Sequence, residues 1–147
     1  MSAPGVSVGE GIPRPRIYVF ERSGNNWGIQ TRIEPTGLDG FGNHRWGESI
    51  AMVGNVLAVT IGPLNRVHLI RRVSTLNWAY FAELRAPDGG AFGYDVAMQG
   101  DRLAVAASYR LFTYLRQGNG NWTLEQQVDV YPGAGSRVAL SDRALVS

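Results

Sequence analysis

Few residues in this chain have the type and spacing to do chemistry. His44-Arg45-Trp46 places an imidazole, a guanidinium and an indole side by side, the best grouping in the sequence for contact with a polar ligand. Asp95 and Arg137 join them as candidate ligand-binding residues, because both fall at one equivalent position of the repeat set out below. As a general base His44 lacks a nucleophile or an orienting carboxylate nearby in sequence, so no catalytic residue is assigned. Gly5-Val6-Ser7-Val8-Gly9 matches the pattern of a nucleophile elbow. That motif needs a buried strand before it and a helix after it, whereas this one is followed by Pro13 and Pro15. Asp39 and Asn43 have the spacing of calcium ligands, but Phe41 stands between them, where an ion that takes about six to eight oxygens would need a third. Neither metal nor cofactor is expected. His68 falls within an apolar run and is expected at a packed or edge position of a strand.

Composition narrows the classes further. The net charge is +2 and all 14 basic residues are arginines scattered along the chain, which speaks against a nucleic-acid partner. Cysteine is absent, so no disulfide or thiolate metal site can form. No apolar run reaches the length of a membrane-spanning helix, and no membrane insertion is expected. Met1 to Gly5 lacks the basic and apolar regions of a signal peptide. Asn121-Trp122-Thr123 is a glycosylation sequon, meaningful only in a secreted eukaryotic protein.

The elements that would position these residues are written as a repeat. Trp46-Gly47-Glu48-Ser49-Ile50-Ala51 has the layout of Phe92-Gly93-Tyr94-Asp95-Val96-Ala97, and Gly135-Ser136-Arg137-Val138-Ala139 follows it. Each passes through a polar turn, Gly54-Asn55, Gly100-Asp101 or Asp142-Arg143, into a second apolar run. Glycine first in the turn is the chemistry of a type II′ hairpin. A second unit alternates with the first over 16–35, 66–87 and 110–132, each with an aromatic or aliphatic run, a turn, an Asn-Trp pair and a closing proline. The pairs are Asn26-Trp27, Asn77-Trp78 and Asn121-Trp122, and their recurrence favours packing between neighbouring units over sugar stacking. Trp46 occurs once, in a position expected to be a loop, and is the aromatic most suited to touching a ligand. Self-similarity at this period, without helical periodicity, predicts an all-β fold of four-stranded antiparallel propeller blades. The segments are 16–35 (second half of a blade), 46–87 and 92–132 (whole blades) and 135–147 (first half of a blade).

The combination Phe-Gly-x-x-Val-Ala, Gly-Asp-x-Leu-Ala-Val and a Tyr-Val-Phe-Glu-Arg run resembles the FG-GAP repeats of integrin-like β-propellers, across essentially the whole chain. Trp46 and Ala134 stand where that family has Phe, and the Gly-Ala-Pro signature survives as Ile61-Gly62-Pro63 and, degraded, as Ala106-Ala107-Ser108. The resemblance implies an extracellular or cell-surface recognition module, lectin-like or protein-binding, acting through loops between blades. The alternatives are a structural half-propeller, or fragment of a longer one, without a small ligand, and a propeller hydrolase. Propellers close with roughly four to eight blades, and strands for three leave apolar faces bare. A head-to-tail homodimer of six blades (2 × 3) is therefore expected, the C-terminal hairpin of one chain completing the sheet begun by Arg16 to Ile33 of the other.

Overall fold

The computed structural model describes residues 15–35, 45–130, 137–141 and 143–146, together with the backbone of 2–3. The described residues form an all-β protein. Strands β1 (Ser2–Ala3), β2 (Arg16–Ser23) and β3 (Asn26–Ile33) make a three-stranded sheet, here sheet I. Strands β4 (Trp46–Val53), β5 (Val56–Ile61), β6 (Arg66–Arg72) and β7 (Trp78–Leu84) make the four-stranded sheet II. Sheet III repeats it with β8 (Asp95–Gln99), β9 (Arg102–Ala106), β10 (Arg110–Arg116) and β11 (Trp122–Asp129). A hairpin of β12 (Ala139–Leu140) and β13 (Leu145–Val146) forms sheet IV. Every pairing is antiparallel and joins consecutive strands. The glycine-first chemistry of the turns explains the meander: Gly54 and Gly100 sit at φ +56° and +55°, the left-handed values that the first central residue of a primed turn requires.

The register repeats in detail. In each sheet an arginine (Arg16, Arg66, Arg110) opens the third strand of the unit, and a bulge interrupts its pairing with the fourth strand. The shift falls between Val19 and Phe20, between Leu69 and Ile70, and between Thr113 and Tyr114, four and five residues into the strand each time. A bulge sharpens local twist, so three bulges at one register give three sheets a common shape. Trp27, Trp78 and Trp122 then face Arg22, Arg72 and Arg116 at equivalent positions.

Two apolar layers hold the sheets together. One, between sheets II and III, contains Val67, Leu69, Leu84, Phe92, Leu103, Phe112 and Tyr114. The other, between sheets I and II, contains Ile17, Ile33, Trp46, Leu57, Val59, Ile61 and Ile70. Sheet II is thus covered on both faces, and β5 is buried along its whole length, which explains the unbroken run Val56 to Ile61. Phe92 is the wedge of the first layer, its ring edge-on to Phe112 at 5.3 Å and to Tyr114 at 6.3 Å. Beside it Gly93 lies at φ +79°, and a Cβ there would stand 2.8 Å from the carbonyl oxygen of Arg66 in sheet II. The Phe-Gly pair is one device: the ring fills the gap and the glycine lets the backbones meet.

Candidate functional site

The four candidate residues that are described, Arg45, Trp46, Asp95 and Arg137, are not gathered into one pocket. Trp46 is a correction to the sequence reading: it is no loop residue but the first of β4, 4% exposed, and it wedges sheets I and II as Phe92 wedges II and III. Its place in the repeat, where the second copy has Phe, carried that information. Asp95 is 8% exposed and structural in its contacts. Ser49 Oγ donates to Asp95 Oδ1, and the Val138 amide donates to Oδ2 at 2.8 Å. The same link occurs one sheet earlier, where the Val96 amide donates to Ser49 Oγ at 3.2 Å. Sheets II and III therefore each offer a side-chain oxygen to the chain entering the next sheet, and both oxygens of Asp95 have partners. Arg45 is exposed and paired with Glu48 at 3.3 Å; Arg137 is exposed. His44 lies outside the described residues, as do the Gly5–Gly9 motif, Asp39, Phe41 and Asn43, and the Ala134, Pro132 and Asp142 positions of the repeat.

His68 occupies the packed strand position expected of it, 5% exposed on β6. Its Nε2 is 3.4 Å from Glu83 Oε2, and its ring meets Tyr80 edge-on at 4.9 Å. Burial pushes the imidazole pKa down, against the opposing pull of Glu83, so the ring is held toward its neutral form. Burial also raises Glu83, but the Arg85 hydrogen bond at 2.5 Å and the charge of Arg66 outweigh it and keep the carboxyl below its ordinary value. The cluster is internally satisfied.

A polar cleft that the sequence reading passed over lies between sheets II and III. It has a volume of ≈ 450 Å³ and is lined by Arg71, Asp101, Arg116 and the turn Gln117-Gly118-Asn119-Gly120. Arg71 and Arg116 come from the ends of β6 and β10, Asp101 from the β8–β9 turn, and the rest from the β10–β11 turn. The Arg116 amide donates to Asp101 O at 2.8 Å, tying the two turns together. Gln117 N–H to Asn121 O at 2.7 Å, Gly120 N–H to Gln117 O at 2.8 Å and Asn121 N–H to Asn119 Oδ1 at 3.0 Å fix the turn. The Arg71 guanidinium stands 5.2 Å from the centre of the Phe81 ring. Neither Arg71 nor Arg116 makes an ion pair among the described residues.

The equivalent position between sheets I and II is chemically different. There Glu21, Asn55 and Arg72 replace Arg71, Asp101 and Arg116, and Arg72 Nη2 meets Glu21 Oε1 at 3.7 Å. Arg72 also donates to the carbonyls of Ser74 and Thr75 at 3.3 and 3.1 Å. One cleft is closed on itself while the other presents two guanidiniums, a carboxylate and two amides. Such a set donates to carboxylates and accepts from hydroxyls. The repeat offset that puts Arg71 over Asp101 was the signal in the sequence, visible only once the sheets are in register. No His, Cys, Asp and Glu cluster of three or more that could hold a metal ion occurs among the described residues. Compared with protein-family models, with curated protein sequences and with solved structures, the chain matches none.

Proposed function

We propose that this chain is a segment of an FG-GAP, integrin-like β-propeller and works as a non-catalytic, extracellular recognition module for carbohydrate. Its ligand site is the cleft of Arg71, Asp101, Arg116, Gln117 and Asn119. The observation that carries this reading is the pair of guanidiniums without an ionic partner in a pre-formed polar cleft between two sheets. Paired guanidiniums favour an anionic group and Asp101 accepts from hydroxyls, so the preferred ligands are sugars bearing a carboxylate. Exposed polar sites of this kind bind weakly one at a time, and repetition in an assembly supplies avidity.

A glycan panel displayed at high density tests the proposal. Carboxylate-bearing glycans are expected to bind. Arg116→Ala should weaken them by about tenfold or more, the worth of one charge-assisted hydrogen bond, with no change in melting temperature. A clean null across the panel by folded protein would refute the carbohydrate reading. Trp46→Ala is no probe of binding, because that side chain belongs to the core.

A further inference from the structure

Among the described residues, sheet I lacks what sheets II and III have: a first strand and most of a second. Its β2 edge pairs with β1 only at Arg16 and Ile17, and among the described residues Tyr18 to Ser23 have no neighbour on that side. Where the two strands would lie there is an apolar cavity of ≈ 660 Å³, lined by Ile17, Val19, Phe20 and Trp27 of sheet I and by Met52 and Leu57 of sheet II, among others. Its lining is apolar, and Phe20, Trp27 and Met52 are exposed to solvent. Phe20 is 39% exposed, whereas Ile70 and Tyr114 at its equivalent positions are 4% and 5% exposed. Trp78 packs on the layer between sheets I and II and Trp122 on that between II and III; Trp27, their counterpart in sheet I, is 68% exposed.

Sheet IV is the complementary piece. It is a two-stranded hairpin at the register of β4–β5 and β8–β9. Val138 donates to Asp95 as Val96 donates to Ser49, and Ala139 pairs with Val146 as Ala97 pairs with Ala104. Such a hairpin alone is marginal in water. Register also shows that the described residues of the two pieces take different positions. Ser2 and Ala3 pair with Ile17 and Arg16 as Thr60 and Ile61 pair with Val67 and Arg66. Leu145 and Val146 take the places of Leu57 and Ala58 in the hairpin. The described fragments fall on one strand, with the single position of Val59 between them.

We infer that the cavity beside β2 is the seat of the β12–β13 hairpin of a second copy of this chain. Leu145 of the partner subunit lies opposite Phe20, as Leu57 lies opposite Ile70 and Leu103 opposite Tyr114. Val146 of the partner subunit lies opposite Val19. Because sheet IV sits beside β8 of its own chain through the Val138–Asp95 bond, seating it brings the partner's sheet III in front of Phe20 and Trp27. The exchange is reciprocal, so each of two copies covers the described β2 edge of the other. This inference rests on the propeller reading above and is independent of any ligand.

The test uses the absence of native cysteine. Directly opposed residues of an antiparallel pair have Cα atoms about 4.5–5.5 Å apart, within reach of a disulfide. Phe20→Cys and Leu145→Cys proteins are mixed, oxidised and run without reductant. The expected product is a species of two chains that neither variant yields alone, while the unmodified chain scatters light as twice 16.0 kDa. The double variant in one chain should likewise link two chains. A disulfide within a single chain, a dimer whose pair does not cross-link, or an unmodified chain that stays at 16.0 kDa at every concentration would overturn it. Cross-linking without glycan binding leaves this assembly standing and removes only the ligand.

Discussion

Gly93 and the Ser49–Asp95 link show how single residues set the spacing between sheets. At Gly93 an alanine would have to hold a left-handed backbone and place its Cβ 2.8 Å from a carbonyl oxygen. Gly93→Ala should cost on the order of 2 kcal/mol, a fall in melting temperature of roughly 4–8 °C; a change within a degree would show that the sheets do not meet there. Ser49→Ala leaves the Val96 amide and one oxygen of the buried Asp95 without partners, and a loss of about 1–3 kcal/mol in denaturant unfolding is expected. The His68–Glu83 pair makes stability depend on pH. His68 has a lowered pKa, so the unfolded chain binds its proton more readily; its contribution is complete above its ordinary 6.5 and is lost as pH falls below that. Glu83, also lowered, contributes fully above its ordinary 4.5 and loses that contribution on further acidification. Melting temperature against pH should therefore decline first below about pH 6.5, and His68→Phe should remove that first limb while leaving the second. An unchanged profile would contradict the buried, neutral histidine. Phe92-Gly93 was legible from the sequence as a repeated pair, but Trp46 was not: its isolation suggested a ligand contact, and only the packing shows indole and phenyl doing the same task.

At the scale of elements, the meander of four strands was legible because turn glycines and alternating apolar runs encode it locally. The bulge at one register in all three sheets was not, since a single extra residue in the fourth strand (Gln30, Phe81 or Glu125) leaves no mark on composition. The polar cleft was missed for a related reason. Arg71, Asp101 and Arg116 come from two strand ends and a turn and converge only through the stacking of sheets II and III. Equivalent tryptophans provide the discriminating experiment. Trp78→Ala opens a hole beside Ile70 and should cost roughly 2–4 kcal/mol. Trp27→Ala, at a position 68% exposed in the single chain, should leave the unfolding of dilute protein nearly unchanged and weaken self-association. Equal losses in dilute protein for the two variants would mean that Trp27 is already buried within one chain.

For the whole molecule, the two four-stranded sheets with apolar layers on either side of sheet II leave sheet I and hairpin IV as halves of one pattern. Sequence phase alone suggested that the halves belong together, and the structure shows an apolar cavity beside β2. What the sequence could not supply was which side chains remain uncovered, because that depends on how the sheets stack rather than on any local pattern. The most direct measurement is small-angle X-ray scattering of the purified chain over a range of concentrations. Closure between two copies is expected to give forward scattering for twice 16.0 kDa and a radius of gyration of about 19 Å, both independent of concentration. A particle of 16.0 kDa with a radius of about 15 Å, or a mass that keeps growing with concentration, would contradict the account.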